Sequence, residues 1–220
     1  MQLAYIKHLA EEVAQEKVTE VVITVPAFYS QFERDAIADA IEISGLKTLA
    51  LINDGTAVAI NYAMTRTFPE PEHHIVYDAG ASGIRASLIR FSTIEDKKGS
   101  PQTQISVVAV GHTREASGVE MDRRLRDILI EAFNKKTGKD VRTDKKAMAK
   151  LWKETQRVKA ILSTNTEAIA QVESLAWDID FKTKVTRQEF EDACWDLQSH
   201  FIQPVHDALF KGDLHLVRVI

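Results

Sequence analysis

The chain has 220 residues, with 28 Lys and Arg against 32 Asp and Glu for a formal charge of −4, and 45% of its side chains are apolar. That apolar share supports a packed core, and the mild acidity argues against a sequence-independent nucleic-acid binder, which needs a basic face for phosphates. The single cysteine, Cys194, excludes an intrachain disulfide and a multi-cysteine zinc site, and the seven histidines show no metal-ligand spacing.

Met1 to Gln15 places Leu3, Ile6, Ala10 and Val13 at helical spacing with Lys7, Glu11 and Glu12 between them. This predicts an amphipathic helix, not a leader peptide. No apolar run reaches membrane-spanning length and no retrieval tetrapeptide ends the sequence. Val21 to Val25 is a β-branched run that predicts a strand buried on both faces, stopped by Pro26. Ser30 and Glu33 form a capping box for a helix reaching Ser44, with Ile37, Ala40 and Ile41 on its inner face and Gly45 as its stop. A strand over 48–52 and a helix over 56–64 follow, which together read as a parallel strand pair with crossover helices.

Residues 65–74 are polar, with Pro69 and Pro71, and read as a hinge between domains. Strands are then predicted over 75–78, 84–91 and 105–110, joined by the turn 78–83 and a charged loop over 94–104, as an antiparallel meander. Gly118 opens a helix whose stripe is Met121, Leu125, Ile128, Leu129 and Ala132. A charged loop over 135–146, a helix over 147–162, and strands over 167–175 and 181–185 come next. Thr186 and Glu189 make a second capping box, opening one helix to Phe210 with Phe190, Ala193, Cys194, Leu197, Phe201 and Val205 on its core face. Gly212 closes it, and 214–220 reads as a final strand.

Several segments resemble the seventy-kilodalton heat-shock chaperone family in family order and spacing. They are Val22-Ile23-Thr24-Val25-Pro26-Ala27-Phe28-Tyr29 with Arg34, Leu51-Ile52-Asn53-Asp54, Tyr77-Asp78-Ala79-Gly80, Ser117-Gly118-Val119-Glu120-Met121-Asp122, Arg157-Val158-Lys159-Ala160-Ile161-Leu162-Ser163, and 180–190. Each motif alone is weak; their joint order is specific and covers essentially the whole chain. Asn53-Asp54-Gly55-Thr56, Asp78-Ala79-Gly80-Ala81-Ser82 and one extra residue between Gly111 and Gly118 resemble the large glucose-regulated, hypoxia-induced branch of the endoplasmic reticulum. The resemblance implies an actin-like ATPase fold, α/β with ribonuclease-H-like lobes. Residues 1–66 would close an incomplete first lobe and 67–220 would form most of the second, with an outer subdomain over about 118–185. It also implies ATP or ADP with Mg²⁺, a partner chaperone of the same superfamily, unfolded polypeptide as client of the whole protein, and the endoplasmic-reticulum lumen. Nucleic acid and membrane are not among the implied partners. In the family a first phosphate loop precedes this stretch and a glycine-rich adenosine loop follows it. This stretch alone is therefore expected to be inactive in ATP hydrolysis.

The resemblance also assigns roles by position. Asp78 would hold Mg²⁺ through water and orient the attacking water, with the backbone of Gly80, Ala81 and Ser82 facing phosphates; an ordinary Asp-Gly turn is the plain alternative. Asp54 would stand near the Mg²⁺ water shell, or simply cap a helix. Gly118, Lys159 and Ser163 would line the nucleotide site, with Lys159 and Ser163 four apart on one helix face; a surface lysine is the alternative. Pro26 and Arg34 would relay nucleotide state between lobes, against a strand terminator and a solvated charge. Two departures stand out: Gly83 replaces a family threonine that contacts the terminal phosphate, and Ala160 replaces an arginine that stacks on adenine. An alternative function is a non-hydrolysing docking module that promotes nucleotide exchange on a partner, or an inactive truncated product. Cys194, on the apolar face of its helix, reads as a buried, inert thiol.

Overall fold

The computed structural model describes residues 2–95 and 98–214. The helices are α1 (Gln2–Ala14), α2 (Gln31–Ile43), α3 (Asp54–Ala63), α4 (Gly118–Thr137), α5 (Lys145–Leu162), α6 (Arg187–Ala193) and α7 (Gln198–Lys211). The strands are β1 (Glu20–Val25), β2 (Lys47–Asn53), β3 (Glu72–Ala79), β4 (Ile84–Glu95), β5 (Pro101–Thr113), β6 (Glu167–Ala176) and β7 (Ile179–Thr186). They gather into two compact units.

The first unit takes residues up to Tyr77, Arg85–His112, and the chain from Val205 on. β1 and β2 pair in parallel, Glu20 beside Lys47 and Val25 beside Asn53. α2 connects them, as a parallel pair requires. Its N-terminus is the expected capping box, with Ser30 and Glu33 satisfying each other's backbone amides. The prediction that β1 is buried on both faces fails. Val22 is 49% exposed, because β1 has β2 as its one strand neighbour among the described residues. β3, β4 and β5 form a sheet in chain order. Connections this short force antiparallel neighbours, so the expected meander is present.

The stretch 65–74, read as a hinge, is packed at Phe68. Phe68 is buried and stacks on Phe91 at 4.5 Å, its carbonyl accepts from the Thr93 hydroxyl, and β3 already begins at Glu72. The apolar Phe68 outweighs the flanking prolines, because burying an aromatic ring contributes more than turn propensity. The charged loop over 94–104 is also shorter than predicted, since β4 runs to Glu95 and β5 starts at Pro101.

The second unit takes Asp78–Ile84 and Thr113–Pro204. β6 and β7 form an antiparallel hairpin, Glu167 opposite Thr186 and Val172 opposite Phe181. α4 and α5 pack with it around one core that includes Leu125, Leu129, Phe133, Leu151, Val158, Phe181 and Val185. The predicted α4 stripe is right but narrow: Ile130 and Phe133 are also fully buried. The loop expected over 135–146 holds the end of α4, a left-handed Gly138 and a 3₁₀ turn at Val141–Thr143.

α5 also covers the outer edge of β6. Arg157 donates to the Ile169 carbonyl at 2.7 Å, Glu154 accepts from the Gln171 amide at 2.7 Å, and Lys150 donates to the Ser174 carbonyl at 2.6 Å. Burial pushes the Glu154 carboxyl up most strongly, but the hydrogen bonds from Arg157 and Gln171 together outweigh it and hold the group below its ordinary value.

The single helix predicted from Thr186 to Phe210 is two. α6 ends at Ala193, a 3₁₀ turn covers Trp195–Leu197, and α7 resumes at Gln198. Arg124 explains the break: its guanidinium takes the Ala193 carbonyl at 2.8 Å and grips Asp196 with two further bonds. A carbonyl drawn to a side chain is lost to the helical ladder. Phe190 and Leu197 face the core as predicted, and burial pushes the Cys194 thiol up, as expected of an inert cysteine. The strand expected over 214–220 lies outside the described residues, apart from Leu214.

Candidate functional site

Most of the predicted site residues in the second unit come together around the turn after β3. Gly80 donates its amide to the Gly83 carbonyl at 3.0 Å, closing the turn. Asp78, Ala81 and Ser82 are exposed, whereas Gly83 and Ile84 are buried. The turn presents one carboxylate and two small residues outward and anchors itself through its far end.

That anchor is the first turn of α4. The Gly118 amide donates to the Gly80 carbonyl at 3.1 Å and the Val119 amide to the Ala81 carbonyl at 2.9 Å. The Glu120 amide is capped by the Ser117 hydroxyl at 3.1 Å. The first amides of a helix are ordinarily orphan donors suited to an anion. Here three of them are engaged inside the protein. Gly118 thus contributes closeness: a β-carbon there would stand 3.4 Å from the Ala81 Cα.

Lys159 reaches the same place from α5. Its ammonium donates to the Gly118 carbonyl at 3.0 Å and lies 2.6 Å from the Asp122 carboxylate, which is almost fully buried. Its charge is largely answered within the protein. Ser163, four residues on, caps α5 and donates its hydroxyl to the Ala160 carbonyl at 2.6 Å. Gln156, Ala160 and Ser163 are exposed and Lys159 partly so, and the four follow helical spacing on one face.

Gly83 is fixed by packing. A β-carbon at this position would come within 2.6 Å of the Thr113 carbonyl oxygen. The family threonine therefore has no room here while the backbone stays in place.

The remaining predicted residues form a separate cluster in the first unit. Arg34 donates to the Tyr29 carbonyl at 3.1 Å and to the Asn53 side chain at 2.9 Å, and its Nη2 reaches the Pro26 carbonyl at 3.5 Å. The pairing of Pro26 with Arg34 is thus physical, and Arg34 is no solvated charge. It ties the end of β1 to the end of β2. Asn53 occupies the N-cap position of α3, and Asp54 is the first helical residue. The Asp54 carboxylate accepts from the Gly55 amide at 2.7 Å and pairs with Arg85 of β4.

Sequence reasoning missed Asp122, Asn53 and Arg85 as partners. Asp122 had a readable signal: it is a carboxylate set beside the apolar α4 stripe, between Met121 and Leu125. Arg85 had none, since a basic residue on a strand is ordinary.

The family model described as "Hsp70 protein" matches residues 1–219. The chain belongs to the Hsp70 family. Its fold is accordingly the actin-like ATPase fold of the Hsp70 nucleotide-binding domain. Among curated relatives, hypoxia up-regulated protein 1 of Xenopus laevis is 45% identical over 100% of this Hsp70 chain and 35% of its own length. That of Danio rerio is 44% identical over 98% of the chain and 23% of its own length. Heat shock protein 70 homolog lhs1 of Schizosaccharomyces pombe is 41% identical over 94% of the chain and 25% of its own length. The chain thus spans about a third or less of the curated relatives it matches, and these relatives agree with the branch indicated by the sequence departures at 53–56 and 78–82. Among the described residues no helix is long and apolar enough to cross a membrane, and no cluster of His, Cys, Asp and Glu is arranged to hold a metal directly.

Proposed function

We propose that this Hsp70-family chain forms part of a nucleotide-binding domain in which the turn 78–83 faces the polyphosphate of ATP or ADP. The observation that carries this reading is the turn itself: exposed Asp78, Ala81 and Ser82 on a loop whose carbonyls are pinned to the start of α4. A pinned loop of small residues costs little reorganisation on binding, and a carboxylate at its entrance suits Mg²⁺ held through water. The residues fit the nucleotide in this respect. Asp78 would orient the hydrated ion, Gly80, Ala81 and Ser82 would let phosphate oxygens approach the backbone, and the exposed stripe of Gln156, Ala160 and Ser163 would meet the nucleoside. The bound metal would neutralise phosphate charge. The Asp54 carboxylate is already paired with Arg85, so any role it has toward a ligand would have to share that pair.

The lobe division belongs to this proposal, with residues 1–66 in the first lobe and 67–220 in the second. So do a folding role in the endoplasmic-reticulum lumen, a partner heat-shock chaperone and unfolded clients. The test is calorimetry with Mg-ATP on a chain extended to the relatives' length. Asp78→Asn should weaken binding about tenfold in Mg²⁺ and little in its absence, since a charge-assisted contact is lost. Equal affinity for both proteins at all Mg²⁺ levels would refute the assignment.

A second reading, exchange-promoting docking with slow or no hydrolysis, is favoured by one observation: the Gly83 position excludes the hydroxyl-bearing side chain. It is supported if the extended protein speeds nucleotide release from a partner Hsp70 while its own turnover stays low. Rapid turnover would remove it.

A further inference from the structure

We propose that Arg124 is a positioning residue for the turn 78–83: it fastens the opening turn of α4, which holds that turn, to the break between α6 and α7. Its consequence for a ligand rests on the polyphosphate reading above, whereas the tie itself does not. The contacts run without a gap. The Gly118 and Val119 amides hold the Gly80 and Ala81 carbonyls. Glu120, the next residue, accepts from the Arg124 Nε at 2.8 Å through its carboxylate. The same guanidinium donates through Nη1 to the Ala193 carbonyl and to Asp196 Oδ1, each at 2.8 Å, and through Nη2 to Asp196 Oδ2 at 2.7 Å. Four of its five N–H groups are thus engaged, and their partners lie on both sides of the gap from α4 to the break.

Neutralising Glu120 does not by itself call for this arrangement. Arg123 also grips Glu120, at 2.8 and 2.7 Å, but those bonds stay within α4. Arg124 leaves its own helix. Asp196 lies 72 residues away in sequence, and the hydrogen bond from Arg124 is the main cause that holds the Asp196 carboxyl below its ordinary value. An apolar contact runs beside the polar one. Leu197, in the same 3₁₀ turn as Asp196, is buried in a cluster with Ile84 and Ala116. Ile84 directly follows Gly83, and Ala116 directly precedes Ser117, the cap of α4. The break is therefore joined to the far end of the turn 78–83 and to the α4 cap by packing, and to the α4 opening turn by Arg124. Helix ends are where local opening is easiest. Fastening this one from outside keeps its amides on the Gly80 and Ala81 carbonyls, and so keeps the turn in one shape.

Backbone amide hydrogen exchange on this chain tests the tie without any nucleotide. In Arg124→Met, protection at Gly118 and Val119 should fall about tenfold, while the β6–β7 hairpin keeps its own. Asp196→Asn changes an exposed side chain outside α4 and should lower the same two amides about threefold, since Asn still accepts one bond. Arg123→Met takes the other cation from Glu120 and should leave both amides as protected as in the wild type. Unchanged protection in Arg124→Met, or an equal loss in Arg123→Met, overturns the proposal. Should Arg124→Met not fold, the comparison of Asp196→Asn with Arg123→Met decides it by the same rule. In the chain extended to the relatives' length, Mg-ATP affinity should fall about tenfold in Arg124→Met, and adding Asp196→Asn should lower it no further, because both act on one tie. Arg124→Lys keeps the charge but lacks the planar fork, so it should not restore affinity. Full affinity in Arg124→Met, or restoration by lysine, would sink the positioning role. If the extended wild type binds no nucleotide, the polyphosphate reading fails, and the exchange data alone decide the tie.

Discussion

The α4–α5–β6–β7 assembly and the stretch from α1 to β2 both carry many apolar side chains, yet they use them differently. In the first, Leu125, Leu129, Ile130, Phe133, Leu151 and Val158 are fully buried in one cluster. In the second, Val13, Phe32 and Ile43 are each almost 90% exposed and α1 has no buried residue. A hydrophobic side chain contributes to stability according to the water it sheds, so the same residue type should carry very different weight in the two places.

The largest expected effect breaks or confirms that contrast. Phe133→Ala should cost about 3–5 kcal/mol in chemical denaturation, the range for emptying a packed aromatic site. Phe32→Ala should stay within about 0.5 kcal/mol, as for surface substitutions. Similar losses for both would mean that Phe32 is covered in solution. A smaller effect is expected at the turn. Gly83→Ala should cost about 1–3 kcal/mol by overpacking against Thr113, read as a lowered melting temperature. A neutral result would show that the loop can shift and that the position is open to a hydroxyl side chain after all.

The smallest effect sharpens the contrast through pH. Glu154 is held below its ordinary value in the folded state, so its contribution is present above the unfolded-state value near 4.5 and is lost as pH falls through the lower folded value. Melting curves from pH 7 down to 3 should show an acid loss in the α5–β6 region that Glu154→Gln reduces. If the acid limb is the same in Glu154→Gln, other carboxylates govern it.

Local signals were legible wherever the sequence names both partners within a few residues. The capping boxes at Ser30 and Thr186, the parallel β1–β2 pair, the meander and the two strands that become β6 and β7 all follow from spacing alone. What escaped depended on distant groups. The break after Ala193 requires Arg124, 69 residues earlier. The burial of Phe68 requires Phe91, and the half-exposure of β1 depends on how many strands lie beside it. At the candidate site the turn residues were found because the family order marks them. That Gly118 has its amide and carbonyl already bonded, and that Lys159 is turned toward Asp122, depends on the packing of α4 against α5, which no motif records.

The dressing of β6 by α5 has its own consequence. A hairpin rim normally offers open carbonyls and amides to any extended peptide that drifts by. On this rim, guanidinium, carboxylate and ammonium groups occupy three of those positions, as a strand would, but from side chains that no second molecule can extend into a growing ribbon. The same arrangement that steadies the hairpin therefore guards it against fibril-like association, and protonating Glu154 would be the first step in lowering that guard.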